Sequence, residues 1–203
     1  KGLGHPLIAG DKRVTNDVGF GGAHPLALIV TGSNMSGKST LLRAVGINAV
    51  LALAGAPVCA ESLAIGDVRV VTSMRISDSL ESGISHFYAE LQKLKLVIDL
   101  AKGQRKVLFL LDEILHGTNT RERLIGARAV ARALVAAGGI GAISTHDLAI
   151  GDLEQELAGK VKNVHFEEQV ENDKMTFDYK LRDGVVQSSN ALRLMKIVGL
   201  PTD

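Results

Sequence analysis

Residues 32–39 read Gly32-Ser33-Asn34-Met35-Ser36-Gly37-Lys38-Ser39, a match to the pattern G-x-x-x-x-G-K-[ST]. From average residue usage, a chain of about 200 residues carries this pattern by chance roughly one time in a hundred. Its surroundings are those the pattern needs. Leu26 to Thr31 is a short apolar run of the kind that forms a buried strand, and Ser39 to about Ala54 has the length and composition of a helix. A strand, a glycine-framed loop and a helix, in that order, predict a phosphate-binding loop rather than an ordinary glycine-rich turn.

The chemistry follows from the residue types. Gly32 and Gly37 let the backbone take conformations that aim successive N–H groups at phosphate oxygens. The helix that starts near Lys38 adds the positive end of its dipole. Lys38 reaches the terminal phosphates as a point charge, and Ser39 offers a hydroxyl to Mg²⁺. The candidate nucleotide cradle is therefore Gly32, Ser33, Asn34, Met35, Ser36, Gly37, Lys38, Ser39 and Thr40.

Such a loop needs a carboxylate on a neighbouring strand to complete the Mg²⁺ shell. Val107 to Leu111 is a continuous apolar run that ends in Asp112-Glu113 and reads as a central parallel strand. Asp112 is the candidate metal-side carboxylate. Glu113, one residue beyond, is placed to accept a proton from an attacking water, or to orient it. Two adjacent acids repel unless a cation sits between them and the substrate, which favours hydrolysis over binding alone. Thr145-His146 follows another short strand, Ala142 to Ser144, and puts an imidazole where it can meet the terminal phosphate or that water.

Further elements complete the alternation. Val68 to Met74 is β-branched enough for a strand, and Phe87 to Lys102 is helical with Leu91, Leu94, Ile98 and Ala101 on one face. Arg121 to Ala137 is an alanine-rich helix. Val161 to Val170 and Met175 to Leu181 are β-like runs around the turn-like Glu171-Asn172-Asp173-Lys174, and Asn190 to Val198 reads as a short closing helix. Alternating strands and helices predict a three-layer α/β/α domain with a largely parallel sheet, a single domain over residues 1–203. Ala44 to Ala60, the most apolar stretch, is too short to span a bilayer and reads as a buried helix.

Composition sets outer limits. The 203 residues are 46% hydrophobic and 22% charged, which excludes disorder and fibrous repeats and supplies a core. Lys and Arg number 23 against 22 Asp and Glu, a formal +1, so the chain is no dedicated nucleic-acid backbone binder. With 5 Phe, 2 Tyr and no Trp, a base-stacking surface for single strands is also excluded. The lone Cys59 reads as a small buried hydrophobe, and the lack of a disulfide framework favours a reducing, cytoplasmic setting. The chain opens Lys1-Gly2-Leu3 with no Met and no signal peptide, as expected of a segment of a longer protein.

Together, residues 31–40, Asp112-Glu113-Ile114-Leu115-His116-Gly117-Thr118-Asn119 and Ser144-Thr145-His146-Asp147 resemble the ATPase domain of the MutS family, within the ABC-type branch of P-loop ATPases. The similarity runs from Gly4-His5-Pro6 through Asn163-Val164-His165 to Gly199-Leu200-Pro201. It implies ATP and Mg²⁺ as ligands and a dimer, of identical or paralogous chains, with composite ATP sites. It implies that Ser82 to Glu90 is the signature segment, with Ser85 acting in trans on the partner's nucleotide. It also implies that Asn34 lies near the terminal phosphate, that Gly117 to Thr120 lie near the dimer seam, and that Asn16 and His165 flank the adenine. DNA would be contacted mainly by domains preceding Lys1, with no membrane involved.

Several positions depart from the family's usual pattern. Ser33 and Ser36 stand where mismatch-repair members commonly have Pro and Gly. Leu115-His116-Gly117-Thr118-Asn119 stands for Gly-Arg-Gly-Thr-Ser, and Arg13 for a stacking aromatic. These departures point to a divergent subfamily. Two other classes compete: an ABC ATPase of a transport or chromosome-maintenance machine, whose Leu-Ser-Gly-Gly-Gln signature is absent, and a non-hydrolysing nucleotide switch, against which Glu113 and His146 count. Glu154, Glu156, Glu167, Glu168 and Glu171 read as a solvated face, and Arg128 and Arg132 as a surface stripe with a dimer or DNA role as the sharper option. His5, His24, His86 and His116 show no spacing that suggests zinc.

Overall fold

The computed structural model describes residues 1–74, 86–171 and 174–186. Strand β1 (Ala27–Thr31) feeds the glycine-framed loop, and helix α1 (Lys38–Leu53) follows it. Then come β2 (Val68–Ser73), α2 (His86–Ala101), β3 (Lys106–Asp112), α3 (Thr120–Ala136) and β4 (Ile140–Ser144). A 3₁₀ turn at Leu148–Asp152 runs into the short α4 (Leu153–Glu156) before β5 (Val161–His165). The chain continues through β6 (Glu168–Glu171), β7 (Lys174–Phe177) and β8 (Arg182–Asp183).

The sheet order is β2-β3-β4-β1-β5-β8, with every pairing parallel except that of β8 on β5, while β6 and β7 form a separate antiparallel pair. Every residue of β1 is buried, because helices cover both faces of the sheet, which is why this strand is a continuous apolar run. Side chains alternate between two cores. Ile29, Phe109, Leu111 and Ile143 pack with α2 and α3 on one face. Leu28, Val30, Leu108 and Leu110 pack against Leu41, Leu42 and Val45 of α1 on the other. The α/β class and the largely parallel sheet are as the sequence predicts.

The structure corrects several readings. The acid-bearing strand β3 is not the neighbour of β1; β4 lies between them, with Val30 and Asp112 both in register with Ser144. The helix over Ala44 to Ala60 stops at Leu53, and residues 54–60 leave it in turns and loop. In α2 the buried face is Leu94, Val97 and Ala101, with Ile98 packed beside it, while Leu91 is exposed. The run Val161 to Val170 breaks after His165 into β5 and β6, and Leu148 to Glu156 carries helical turns that no periodicity announces. The expected helix over 190–198 lies outside the described residues, as does part of the Glu171 to Lys174 turn.

The expected solvated face and Arg stripe meet each other. Glu156 on α4 accepts hydrogen bonds from both Arg128 and Arg132 on α3. Glu154 accepts from the Asn163 backbone N–H, and Glu168 is buried. Opposite charges on adjacent elements pair where sequence separation hid them.

Asn48, in the middle of α1, is fully buried. Its Nδ2 donates to the carbonyls of Gly4 (2.9 Å) and Ala44 (2.8 Å), and its Oδ1 accepts from the Cys59 N–H (2.6 Å). One amide thus ties the N-terminal segment and the residues after α1 to the helix. Replacing Asn48 by Leu strands two buried backbone groups, which costs about 2–4 kcal/mol and lowers the melting temperature by roughly 5–15 °C in a chain of this size. A thermal melt followed by circular dichroism checks this; a shift under about 2 °C contradicts it.

Candidate functional site

The loop after β1 folds around its own lysine. Gly32 has φ +141, and a Cβ there would come within 2.8 Å of the Phe166 carbonyl oxygen, so only glycine fits. Gly37 has φ +113 and caps α1 in the left-handed region. Lys38 is 4% exposed, and its Nζ donates to the carbonyls of Gly32 and Ser33, both at 2.8 Å. Burial pushes its pKa down, although the carboxylates of Glu113 and Asp112 pull the other way. The hydroxyls of Ser33 and Ser36 are buried with no hydrogen-bond partner among the described residues. Ser39 is half-buried in the first turn of α1, while Asn34, Met35 and Thr40 are exposed on the rim.

The two acids stand at the end of β3. Asp112 is buried and accepts a hydrogen bond from the Ser144 hydroxyl of β4. That hydroxyl also accepts from the Glu113 N–H at 3.1 Å, so Ser144 links both acids to the strand between them and the loop. Glu113 takes φ +47, which turns its side chain back towards the loop. Its Oε1 lies 3.6 Å from Lys38 Nζ and 3.8 Å from His146 Nδ1, and its Oε2 lies 2.9 Å from His116 Nε2. Burial alone would raise the Glu113 carboxyl; Lys38, His116 and His146 outweigh it and hold the group below the usual carboxylate range. Asn34, Glu113, His116 and His146 surround a cavity of about 240 Å³.

A larger cavity of about 450 Å³ opens on the other side of the loop, walled by Asn16, Met35, Gly37, Thr40, Phe166 and Tyr179 among others. Asn16 is locked: its Nδ2 donates to the Tyr179 carbonyl (3.0 Å) and its Oδ1 accepts from the Leu181 N–H (2.7 Å). Tyr179, at φ +54, stacks on Phe177 with ring centroids 5.8 Å apart. Lys12 is on the wall, and burial followed by the nearby Arg43 and Arg13 lowers the pKa of the wall residue His5, the mark of a positive rim.

Among the predicted residues, Lys38, Asp112, Glu113, Asn34 and His146 are brought together, and Asn16 faces the second cavity. His165 is not on that cavity's wall; its Nδ1 donates to the Gly184 carbonyl at 3.0 Å. Nor is Arg13, whose guanidinium donates twice to the Ile8 carbonyl. Ser85 lies outside the described residues. The sequence reading missed Tyr179, Phe166 and Ser144, and placed His116 with the scaffold histidines. Strand termini brought together across the sheet leave no spacing signal, though His116 sat in plain view three residues after Glu113.

Comparison with known proteins decides between the ATPase branches. The family model described as MutS domain V matches residues 28–203. The DNA mismatch repair protein MutS of Natronomonas pharaonis is 34% identical over 201 residues, covering 97% of this chain and 23% of its own length. Its counterpart from Myxococcus xanthus is 36% identical over 207 residues (98% and 23%), and that from Thermotoga petrophila 33% over 205 (99% and 25%). The chain belongs to the MutS family. It spans about a quarter of the length of these curated relatives.

MutS domain V is a P-loop ATPase domain, and the residues present here suit Mg²⁺ and a nucleotide. The donors are hard oxygens, Ser39 and Asp112, as Mg²⁺ prefers. The cradle has two unpartnered buried hydroxyls and a glycine position that a Cβ would fill. Strain gathers at the same place. Of the described non-glycine residues, Met35, Glu113, Leu115 and Tyr179 have positive φ, and three of them line one of the two cavities. Leu115 is pinned by Glu90 of α2, which accepts from its N–H at 2.7 Å.

The lowered Glu113 pKa makes a stability statement. A depressed carboxyl contributes stability above its unfolded value, near pH 4.5, and loses it as pH falls through the lower folded value. Nucleotide-free wild type is expected to exceed Glu113→Gln in denaturant midpoint at pH 7, with the gap closing below about pH 4. A gap that persists unchanged at pH 3 would contradict the ion-pair account.

Proposed function

We propose that residues 1–203 form one MutS-type ATPase domain of a longer protein and that it binds and hydrolyses ATP. The observation that carries this reading is the meeting of Lys38 and Glu113, 3.6 Å apart, with Asp112 close enough to act on the same ammonium. Lys38 neutralises the terminal phosphates, and backbone N–H groups of residues 33–39 bind their oxygens. Ser39 and Asp112 are the residues that would hold Mg²⁺, which offsets phosphate charge when bound. Glu113 accepts the proton of the attacking water, and His146 beside it orients that water or the terminal phosphate. Asn34 closes the same side.

The base occupies the larger cavity. Tyr179 and Phe166 form its apolar wall, where the resemblance implied Asn16 and His165 beside the adenine, and Asn16 fixes the strap that carries Tyr179. In the assembled protein, two such domains close on composite sites with Ser85 supplied in trans, as a homodimer or a paralogous heterodimer. The relatives' names support a role in DNA mismatch repair; in this reading the protein works in the cytoplasm and other domains make most of the DNA contacts. Hydrolysis then opens the closed dimer and couples chemistry to those domains.

Three variants test the reading. Lys38→Ala is expected to lose ATP affinity at least tenfold with an unchanged circular dichroism spectrum, measured by fluorescent-nucleotide titration. Glu113→Gln is expected to keep ATP binding, to lose turnover by about 10²-fold or more, and to accumulate the ATP-bound dimer in light scattering. Equal steady-state rates for wild type and Glu113→Gln would leave only a nucleotide switch. Tyr179→Ala is expected to weaken ADP by about 5- to 100-fold, the value of one stacked base, with little change in inorganic phosphate binding. Unaltered ADP affinity would move the base elsewhere.

A further inference from the structure

Three nitrogen and oxygen donors converge beside the hydrolytic site from two different loops. Glu113 and His116 come from the turn after β3, and His146 from the turn after β4. One ligand atom from each lies within 4.8 Å of the other two. The measured pairs are 2.9 Å between His116 Nε2 and Glu113 Oε2, and 3.8 Å between His146 Nδ1 and Glu113 Oε1. The two imidazole rings stand 5.3 Å apart, tilted by 33°. Ligand atoms on a tetrahedral zinc ion, each about 2.1 Å from the metal, are about 3.4 Å apart, a spacing close to both measured pairs, which reach the two different oxygens of the Glu113 carboxylate.

We propose that Glu113, His116 and His146 form a site for a zinc-class divalent ion, separate from the Mg²⁺ of the nucleotide. Two imidazoles and one carboxylate select zinc, cobalt or nickel over magnesium, which takes oxygen ligands. The surroundings suit an ion that enters from solvent. His146 is 42% exposed and His116 25%, and the cavity of about 240 Å³ that they share is open to Asn34. Lys38 Nζ lies 3.6 Å from Oε1 of Glu113, the oxygen that His146 also approaches, while Oε2 faces His116. Three protein ligands leave a fourth position for water or a phosphate oxygen.

The consequence for turnover rests on the proposed role of Glu113. A carboxylate engaged as a metal ligand cannot take a proton from water, so the ion stops hydrolysis while Lys38 and the loop still hold ATP. His116 hydrogen-bonds the base without touching water or nucleotide in the step proposed above, so it is the residue to change, and its effect is read as the ratio of rates with and without Zn²⁺ within each variant. Gln at that position keeps a donor for Glu113 and removes the imidazole.

Calorimetric titration of the tag-free, nucleotide-free full chain with Zn²⁺ tests the site directly. Wild type is expected to bind one more equivalent than His116→Gln, or to bind that equivalent about tenfold or more tightly. Cys59→Ser should titrate like wild type, and His146→Gln like His116→Gln, which guards against a folding defect in one variant. Identical titrations for wild type and both histidine variants overturn the proposal. With buffered free Zn²⁺ at saturating Mg-ATP, wild-type turnover should fall while His116→Gln resists; equal inhibition of both would also overturn it. Absence of turnover in wild type without zinc would instead sink the ATPase reading, while leaving the calorimetry to decide the metal site.

Discussion

A buried ammonium must be satisfied, and around Lys38 the rest of the site is arranged. An unpaired charge in a dry interior is among the most costly things a fold can contain. Lys38 meets that demand with two carbonyls of its own loop and the carboxylate of Glu113. Gly32, whose carbonyl is one of the two, takes a backbone conformation that a side chain would block. The same cation therefore ties the loop's shape to the position of the Glu113 carboxylate.

The interposed strand β4 gives the second constraint. With β4 between β1 and β3, the acids cannot reach the loop through a shared backbone ladder. Ser144 bridges the gap instead, donating to Asp112 and accepting from the Glu113 N–H. His146 leaves the same strand two residues later and arrives beside Glu113. Strain is the cost of this convergence. Glu113 and Leu115 both sit at positive φ, and the second is held there by Glu90 of α2. The turn that carries Glu113 and Leu115 is packed directly on the start of helix α2. Gly117 pressing on Phe87 reinforces that contact.

Much of the fold was legible because its signals are local. The phosphate loop announces itself through glycine spacing, and β1, β3 and β4 through apolar runs that only a doubly covered sheet produces. Asp112 and Glu113 were legible because a strand end is marked by the change from apolar to acidic. The errors share a cause too. The Ala44 to Ala60 stretch is apolar throughout, yet its second half packs as loop, since hydrophobicity reports burial and not helicity. Glu156 lies on the surface as expected, but its pairing with two arginines 24 and 28 residues away leaves no local signal. Arg13 stands where the family often has a stacking aromatic, and folding turns its guanidinium to the Ile8 carbonyl.

Short-range rules alone settled the class of the domain, its phosphate cradle and the identity of its two acids, because glycine conformations, apolar runs and loop spacing act over a few residues. The order of the strands, the bridge through Ser144, the aromatic wall of Tyr179 and the approach of His116 to His146 were decided only by packing. Those contacts join residues that are distant in the chain, and their energies depend on which surfaces the sheet brings face to face. No pattern along a sequence encodes a distance that exists only once the chain has folded.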